Sequence, residues 1–388
     1  MPQTCTDITE RLRKYTGSSQ NSAWTVQESA LGGRGLFASK PIKKGSLIFT
    51  NKPLVIGARA DSSTSIHCSN CYQSDSCVPC EKCQLLICSD MCKQSQEHSK
   101  ECNYIASTLV PKVRNEENCF IFARVLIYFR FLLLSVNEQA VVNLLQRGQS
   151  HSSFEELDAL CSKYYVPEEE IQKIKVINTI LKINSFRVAK SSCEKKIPIR
   201  GLYPLSAFLN HSCLPNTRNV FLKDHTMAVY ATQNIDVGEE LLSCYTGLLW
   251  CTPARRYQLY KTKSFWCKCE RCKDPTEKGT RLSALKCSDK NCIGVILPTD
   301  PLACDTTWCC DICCNMTPPE RVNIIQSVLG SLVGTLQLDD KFNLENAVLD
   351  RLASFVPYSN HIFVDIRLRL AFKLGSNDGR RLNGIIKK

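Results

Sequence analysis

Eight of the chain's 25 cysteines lie between residues 68 and 102, at spacings that suit a metal. Cys68-x2-Cys71, Cys80-x2-Cys83, Cys88-x3-Cys92 and His98-x3-Cys102 are four close pairs, and a short spacer lets each pair grip an ion from one tight turn. They make two tetrahedral Zn2+ sites, one of four cysteines and one of three cysteines and a histidine. In a cross-braced module alternate pairs share an ion. Cys68, Cys71, Cys88 and Cys92 then hold one, and Cys80, Cys83, His98 and Cys102 the other. Cys77 competes with Cys80 through a three-residue shift.

Two more groups follow. Cys267, Cys269 and Cys272 supply three ligands and leave one tetrahedral vertex for water or for a residue from elsewhere. Cys213 is the fourth ligand we expect. Cys287-x4-Cys292 with Cys310-x2-Cys313 forms a ribbon-like quartet, in which Cys304, Cys309 and Cys314 offer other registers. The sequence therefore calls for three to four structural zinc ions. None of the remaining cysteines forms a convincing catalytic pair with a histidine.

The rest of the composition sets the context. Of the 388 residues 44% are hydrophobic and 22% charged, which is ordinary for a chain with packed cores rather than a disordered one. The N-terminal stretch "MPQTCTDITERLRKYTG" has no apolar core and no cleavage-like site, so a reducing compartment is expected, where clustered cysteines bind metal. The apolar run at 119–134 is short for a membrane span and carries Arg124 and Arg130, so it reads as a buried helix. A formal net charge of +12 suggests an acidic partner. Thiolate ligation of four zincs takes seven charges from that figure and leaves about +5, a mildly basic surface.

Strand-and-turn text positions the chemistry. It runs from Trp24 to Gly57 and returns at 197–245, while helices dominate from about 116 to 186 and again over 320–375. Ile171, Ile174, Ile177, Leu181 and Asn184 share one helical face. Two β-rich pieces separated by a metal module and helices imply one β fold interrupted by insertions. Within these pieces Gly32, Gly33 and Gly35 permit a close backbone approach or a positive φ, and Tyr245 ends a strand just before a Thr-Gly turn.

Gly33-Arg34-Gly35, Asn210-His211-Ser212-Cys213 with Pro215-Asn216, Gly238-Glu239-Glu240 leading to Tyr245, and Cys267-x-Cys269-x2-Cys272 occur in that order. The combination resembles a SET-domain lysine methyltransferase, and the eight-ligand cluster looks like a MYND zinc finger. A SET domain split by such a finger is the mark of the SMYD family, and the extra four-cysteine ribbon makes the chain similar to its arthropod SmydA branch. The resemblance implies an α+β fold. Its β-rich SET domain (24–66 and 194–247) is split by the finger (67–102) and a helical insertion (103–193). A post-SET zinc region (248–275), a ribbon-like segment (285–315) and a short helical region (316–388) follow.

By matching motif, the resemblance implies that Gly33, Arg34, Gly35, Asn184, Asn210, His211, Tyr245 and Phe265 hold S-adenosylmethionine, with Tyr245 also the catalytic tyrosine. It implies a protein substrate presenting a lysine, proline-rich partner peptides at the finger, a monomer, and residence in nucleus and/or cytoplasm. No membrane partner is expected and direct nucleic-acid binding is at most weak, since the finger's spacing lacks a base-reading helix. Lys263 stands where the family often has a second channel tyrosine, and Gly247 where many vertebrate relatives carry an acid. The gap from Cys92 to His98 is two residues shorter than the common spacing. The other function that suits these residues is a zinc-stabilised adaptor, acting as a transcriptional corepressor.

Overall fold

The computed structural model describes residues 4–59, 67–73, 76–112, 119–148, 154–188, 198–334 and 342–377. It divides into two compact units. One holds the chain to His211 together with Pro215–Ser243; the other holds Ser212–Leu214 and the chain from Cys244 onward. The polar, Ser-rich stretch 58–67, which its sequence marks as a linker, falls mostly outside the described residues. So do residues 189–197, where the helical insertion was to give way to the second β-rich piece, and the tail beyond 377.

In the first unit the β-rich pieces on either side of the insertions pair with each other. Leu47–Asn51 lies antiparallel to Met227–Ala231, which pairs in turn with Thr217–Phe221. Val55–Ala58 pairs with Ile199–Leu202, which pairs with Ser185–Val188. Trp24–Glu28 and Arg34–Ala38 form a hairpin. Its turn runs through Gly32 (φ 111°) and Gly33 (φ 67°), a left-handed backbone that side chains disfavour. Asn210–His211 runs parallel to Leu242–Ser243.

Helices cover these sheets. Cys5–Thr16 starts with a capping box of Thr4 and Asp7 and ends at Gly17 in the left-handed region. Cys119–Leu132, the apolar run, packs on the strand Val55–Ala58 and buries Phe122, Val125, Leu126, Ile127, Tyr128, Phe129 and Phe131. A Cβ on Gly57 would lie 2.7 Å from Ile127 Cβ, so the close approach of helix and strand requires glycine. Helix Glu168–Asn184 buries Ile174, Ile177, Ile180, Leu181 and Asn184; Ile171, expected on that face, is only half-buried at its start. Among the described residues no single helix is long and apolar enough to cross a membrane.

One guanidinium ties finger, strand and insertion together. Arg130, on the apolar helix, pairs with Glu101 of the finger at 2.6 Å, and donates to the Ser69 and Ile56 carbonyls at 2.7 Å each and to the Tyr72 hydroxyl. Glu101 is 4% exposed. Its loss would strand a buried cation.

In the second unit, helix Thr252–Lys263 carries Pro253 in its first turn and ends at Ser264, whose φ is 62°. A four-stranded antiparallel sheet follows, of Leu285–Lys286, Val295–Pro298, Trp308–Cys310 and Met316–Thr317. Leu285, Ile296 and Trp308 of this sheet share a core with Val322, Leu329, Leu352, Phe363 and Ile366 from helices Pro319–Gly334, Phe342–Phe355 and His361–Asn377, and with Val356 just past the second of these.

Breaking a buried ion pair from one side costs roughly 3–5 kcal/mol, whereas replacing both partners with apolar side chains is close to neutral. Glu101→Ala is therefore expected to lower the melting temperature clearly, and Glu101→Leu with Arg130→Met to recover most of the loss. Calorimetric melting of the three proteins checks this.

Candidate functional site

The Gly-Arg-Gly hairpin meets the Asn210 segment inside the first unit. Asn210 Nδ2 donates to the Arg34 carbonyl at 3.3 Å and to Glu240 Oε1 at 2.7 Å, and Ser29 Oγ donates to Glu240 Oε2 at 2.9 Å. A Cβ on Gly35 would fall 2.2 Å from Glu240 Oε1 and 2.9 Å from Asn210 Nδ2, so any side chain there would fill this recess. Asn216 sets the register beneath. Its Nδ2 donates to Glu239 Oε1 (3.1 Å) and the Glu240 carbonyl (2.8 Å), and its Oδ1 accepts from Leu242 N (2.7 Å). That fixes the short parallel pair holding Asn210 and the buried His211.

Two expected cofactor residues carry structural duties as well. The Arg34 side chain donates to the Leu144 carbonyl at 2.7 Å and lies 5.5 Å from the Phe208 ring centroid, so its backbone is the part left for a ligand. Asn184 is buried at a helix end, its amide donating to the Ile180 and Gln146 carbonyls at 2.8 and 2.7 Å. Glu240 and Asn216 received no role from sequence reasoning. The signal was a carboxylate and an amide placed next to motif residues.

Tyr245 and Phe265 belong to the second unit. Tyr245 is half-buried against Cys213, Leu259, Cys267 and Cys272. Lys263 Nζ lies 5.6 Å from its ring centroid, and burial pushes the lysine down to about 8. Phe265 is 36% exposed. A Cβ on Gly247 would meet Trp250 Nε1 at 2.7 Å, so a side chain there would have to displace the indole.

Among the described residues four quartets of metal-binding atoms assemble, each within 4.8 Å: Cys68, Cys71, Cys88, Cys92; Cys80, Cys83, His98, Cys102; Cys213, Cys267, Cys269, Cys272; and Cys287, Cys292, Cys310, Cys313. Sulfur pairs within them stand 3.5 Å (Cys71–Cys88), 3.7 Å (Cys88–Cys92, Cys292–Cys310), 3.6 Å (Cys213–Cys272, Cys287–Cys313) and 4.0 Å (Cys80–Cys102, Cys213–Cys267) apart. Disulfide sulfurs sit at about 2.0 Å. A tetrahedron of Zn–S bonds of about 2.3 Å puts its sulfurs about 3.8 Å apart. Buried His98 Nδ1 has no hydrogen-bond partner among the described residues, as suits a nitrogen reserved for a metal. Zinc therefore fits all four. Gly294 is needed at the ribbon, where a Cβ would lie 2.6 Å from Cys310 Sγ.

The third quartet has a buried electrostatic shell that the sequence did not reveal. Arg255 is fully buried and donates to Cys213 Sγ at 3.2 Å and Cys272 Sγ at 3.7 Å. It also pairs with Glu277 at 2.7 Å and bonds Thr252 Oγ1 and the Trp250 carbonyl. Four thiolates on one Zn2+ leave two negative charges, which the guanidinium offsets in part. Arg271 holds the Cys213 carbonyl at 3.3 Å. The sequence signal was only an Arg-Arg pair in a helix beside a zinc knuckle.

A sequence profile described as the SET domain matches residues 33–246. The chain belongs to the SET-domain family. It is 29% identical to SET domain-containing protein SmydA-8, isoform B, of Drosophila melanogaster, over 95% of this chain and 84% of that one. It is 24% identical to histone-lysine N-methyltransferase ASHR1 of Arabidopsis thaliana, over 76% of this chain and 65% of that one. To histone-lysine N-methyltransferase SMYD3 of Homo sapiens it is 28% identical, over 63% and 60%.

Elemental analysis of the purified chain is expected to find four zincs, and Cys313→Ser to remove the ribbon's ion alone. Removing a group that supports a ligand commonly costs 10–100-fold in metal affinity. Arg255→Met is accordingly expected to weaken one zinc by about that factor. Arg255→Lys should not restore it, because a point charge cannot reach two sulfurs and Glu277 together. Competition with a chromophoric chelator measures both.

Proposed function

We propose that this chain is an S-adenosylmethionine-dependent protein-lysine N-methyltransferase, acting on a histone or another protein. One observation carries the reading. The Gly33–Gly35 backbone and Asn210, 176 residues apart between Arg34 and Asn210, join in a recess that a single Cβ would fill. Family membership and two relatives named histone-lysine N-methyltransferases support it.

S-adenosylmethionine, when bound, supplies an electrophilic methyl group on a sulfonium. In this reading the chain does the rest. The Gly33 and Gly35 backbone, the Asn210 amide and His211 bind the cofactor, with Asn184 and Phe265 at its margins. An apolar channel strips water from the substrate lysine and favours its neutral amine. Tyr245 orients that amine, and positioning of this kind is the main contribution of the site. The zincs are structural, because each has four protein ligands and no open position. Nuclear or cytoplasmic residence, a monomeric state and proline-rich peptides at the finger complete the proposal.

The contact of Lys263 with Tyr245 favours a second reading, a catalytically weak or inactive zinc adaptor acting as a corepressor. Calorimetric titration with S-adenosylmethionine separates the two. Binding supports the enzyme, and its absence from zinc-loaded protein removes it. Gly35→Ala is expected to abolish measurable binding by displacing Glu240. Tyr245→Phe is expected to lower turnover on a peptide array about 100-fold, the scale of a misplaced reacting group, with cofactor affinity little changed.

A further inference from the structure

We propose that a cavity between helix Thr252–Lys263, the four-stranded sheet and helix Pro319–Gly334 binds a carboxylate carried on a compact apolar body. The inference is independent of the methyltransferase reading, and every residue it uses belongs to the second unit.

The cavity holds about 230 Å3. An apolar cavity of about 150 Å3 admits benzene, so a ring and a short acid chain fit here. Pro253, Trp266, Pro298, Pro301, Trp308 and Val322 give it apolar walls.

The polar groups in those walls are unbalanced. Arg256 is 7% exposed. Its Nε donates to the Cys267 carbonyl at 3.1 Å, and its Nη1 to the Pro301 and Leu302 carbonyls at 3.2 and 2.7 Å. Its Nη2 meets no acceptor among the described residues. Trp308 is 5% exposed, and its Nε1 likewise donates to nothing among the described residues. Neither nitrogen is closed off from solvent, as Arg271 Nε is, and both side chains line the cavity.

The carboxylates of the wall, by contrast, are engaged. Glu277 pairs with Arg255 at 2.7 Å and accepts from Ser283. Asp274 accepts from Thr276 N and Oγ1 at 2.8 Å each and from Lys278 N at 2.9 Å. Spare donors beside covered acceptors select a ligand that brings acceptors of its own.

Charge favours a carboxylate over a neutral carbonyl. Arg255 has Glu277 and Arg130 has Glu101, but Arg256 has no carboxylate partner among the described residues. A buried guanidinium is costly unless it is paired. Its bonds to a carboxylate are roughly twice as strong as neutral ones. The Trp266 ring, with its centroid 5.2 Å from the guanidinium carbon, and the three carbonyls hold the group in place, so its free edge is preformed for a ligand.

The test uses the full zinc-loaded chain labelled with 5-fluorotryptophan, whose four tryptophans give four fluorine resonances. Single Trp→Phe variants assign them. The probes are 3-phenylpropionate, its neutral amide, and a short peptide ending in phenylalanine with a free C-terminus. The expected result is saturable shifts of Trp266 and Trp308 with the acid, and binding of the amide at least ~10-fold weaker. Ala303→Tyr, a change at an exposed position in the cavity wall, should block both probes. Arg256→Met should erase the preference for the acid; should that variant fail to fold, the comparison of acid with amide on the native chain still decides. A peptide that binds more tightly than the free acid assigns the ligand to a protein C-terminus, and a peptide that is excluded assigns it to a free organic acid. Equal affinity for acid and amide overturns carboxylate recognition. Shifts that survive Ala303→Tyr, or that fall on Trp24 instead, overturn the site. Absence of shifts with all three probes at millimolar concentration overturns the inference outright.

Discussion

Four sulfur atoms held within 4.8 Å of one another cannot all be thiolates without a cation at their centre, and this constraint organises much of the chain. The finger has strands of only two residues, Val78–Pro79 and Leu86–Ile87, and helices as short as Asp90–Lys93. Elements of that length do not persist on their own hydrogen bonds. Zinc supplies the missing free energy, and metal binding there is folding. The ribbon is the same case, since its outer strands are also two residues long. The chain even leaves the first unit after His211 to give Cys213 to the second unit's quartet, then returns at Pro215.

The recess beside Gly35 uses amides where the finger uses sulfur. Asn216 donates to two acceptors and accepts from Leu242 N, a pattern that no carboxylate and no aliphatic side chain can meet. Asn210 donates twice, to Arg34 and Glu240, and so adds side-chain bonds to two chain segments that already meet through the backbone bridge of Phe37 and Glu240. Such bonds are worth about 1 kcal/mol each, but leaving a buried partner unmet costs more. The geometry of the recess is therefore enforced chiefly by the penalty for losing it.

Legibility followed range. Ligand spacing was readable because each zinc pair lies within one turn, and the fold class because the ordered motifs are short and local. The apolar helix was readable from its composition. Helix Cys5–Thr16 went unread although Thr4, Asp7 and Gly17 are a capping box and a left-handed cap in plain view. Arg130, Arg255 and Glu277 were unreadable for a different reason. Each is a charged residue whose burial depends on partners from elsewhere in the fold, and an isolated Arg or Glu in sequence looks like surface. Glu240 belongs to the same class, because only the folded recess shows its carboxylate filling the space beside Gly35.

In the proposed cofactor site, Arg34 shows how a residue between two glycines can offer its backbone to a ligand while its side chain is used elsewhere. Glycine on both sides gives the backbone access, but a glycine-rich turn also pays the largest entropy to become ordered. The Arg34 guanidinium offsets that cost from a distance. It donates to the Leu144 carbonyl at 2.7 Å and stacks near Phe208, just before Asn210 in the chain. A charged donor to a carbonyl and a partly desolvated cation–π contact are each worth on the order of 1–2 kcal/mol. Together they hold the strand Arg34–Ala38 between the insertion and the Asn210 segment. A shorter side chain at position 34 would leave the same backbone atoms in the sequence and let them move. Pre-organisation of the proposed cofactor recess thus resides in the one residue of Gly33-Arg34-Gly35 whose side chain is engaged by Leu144 and Phe208.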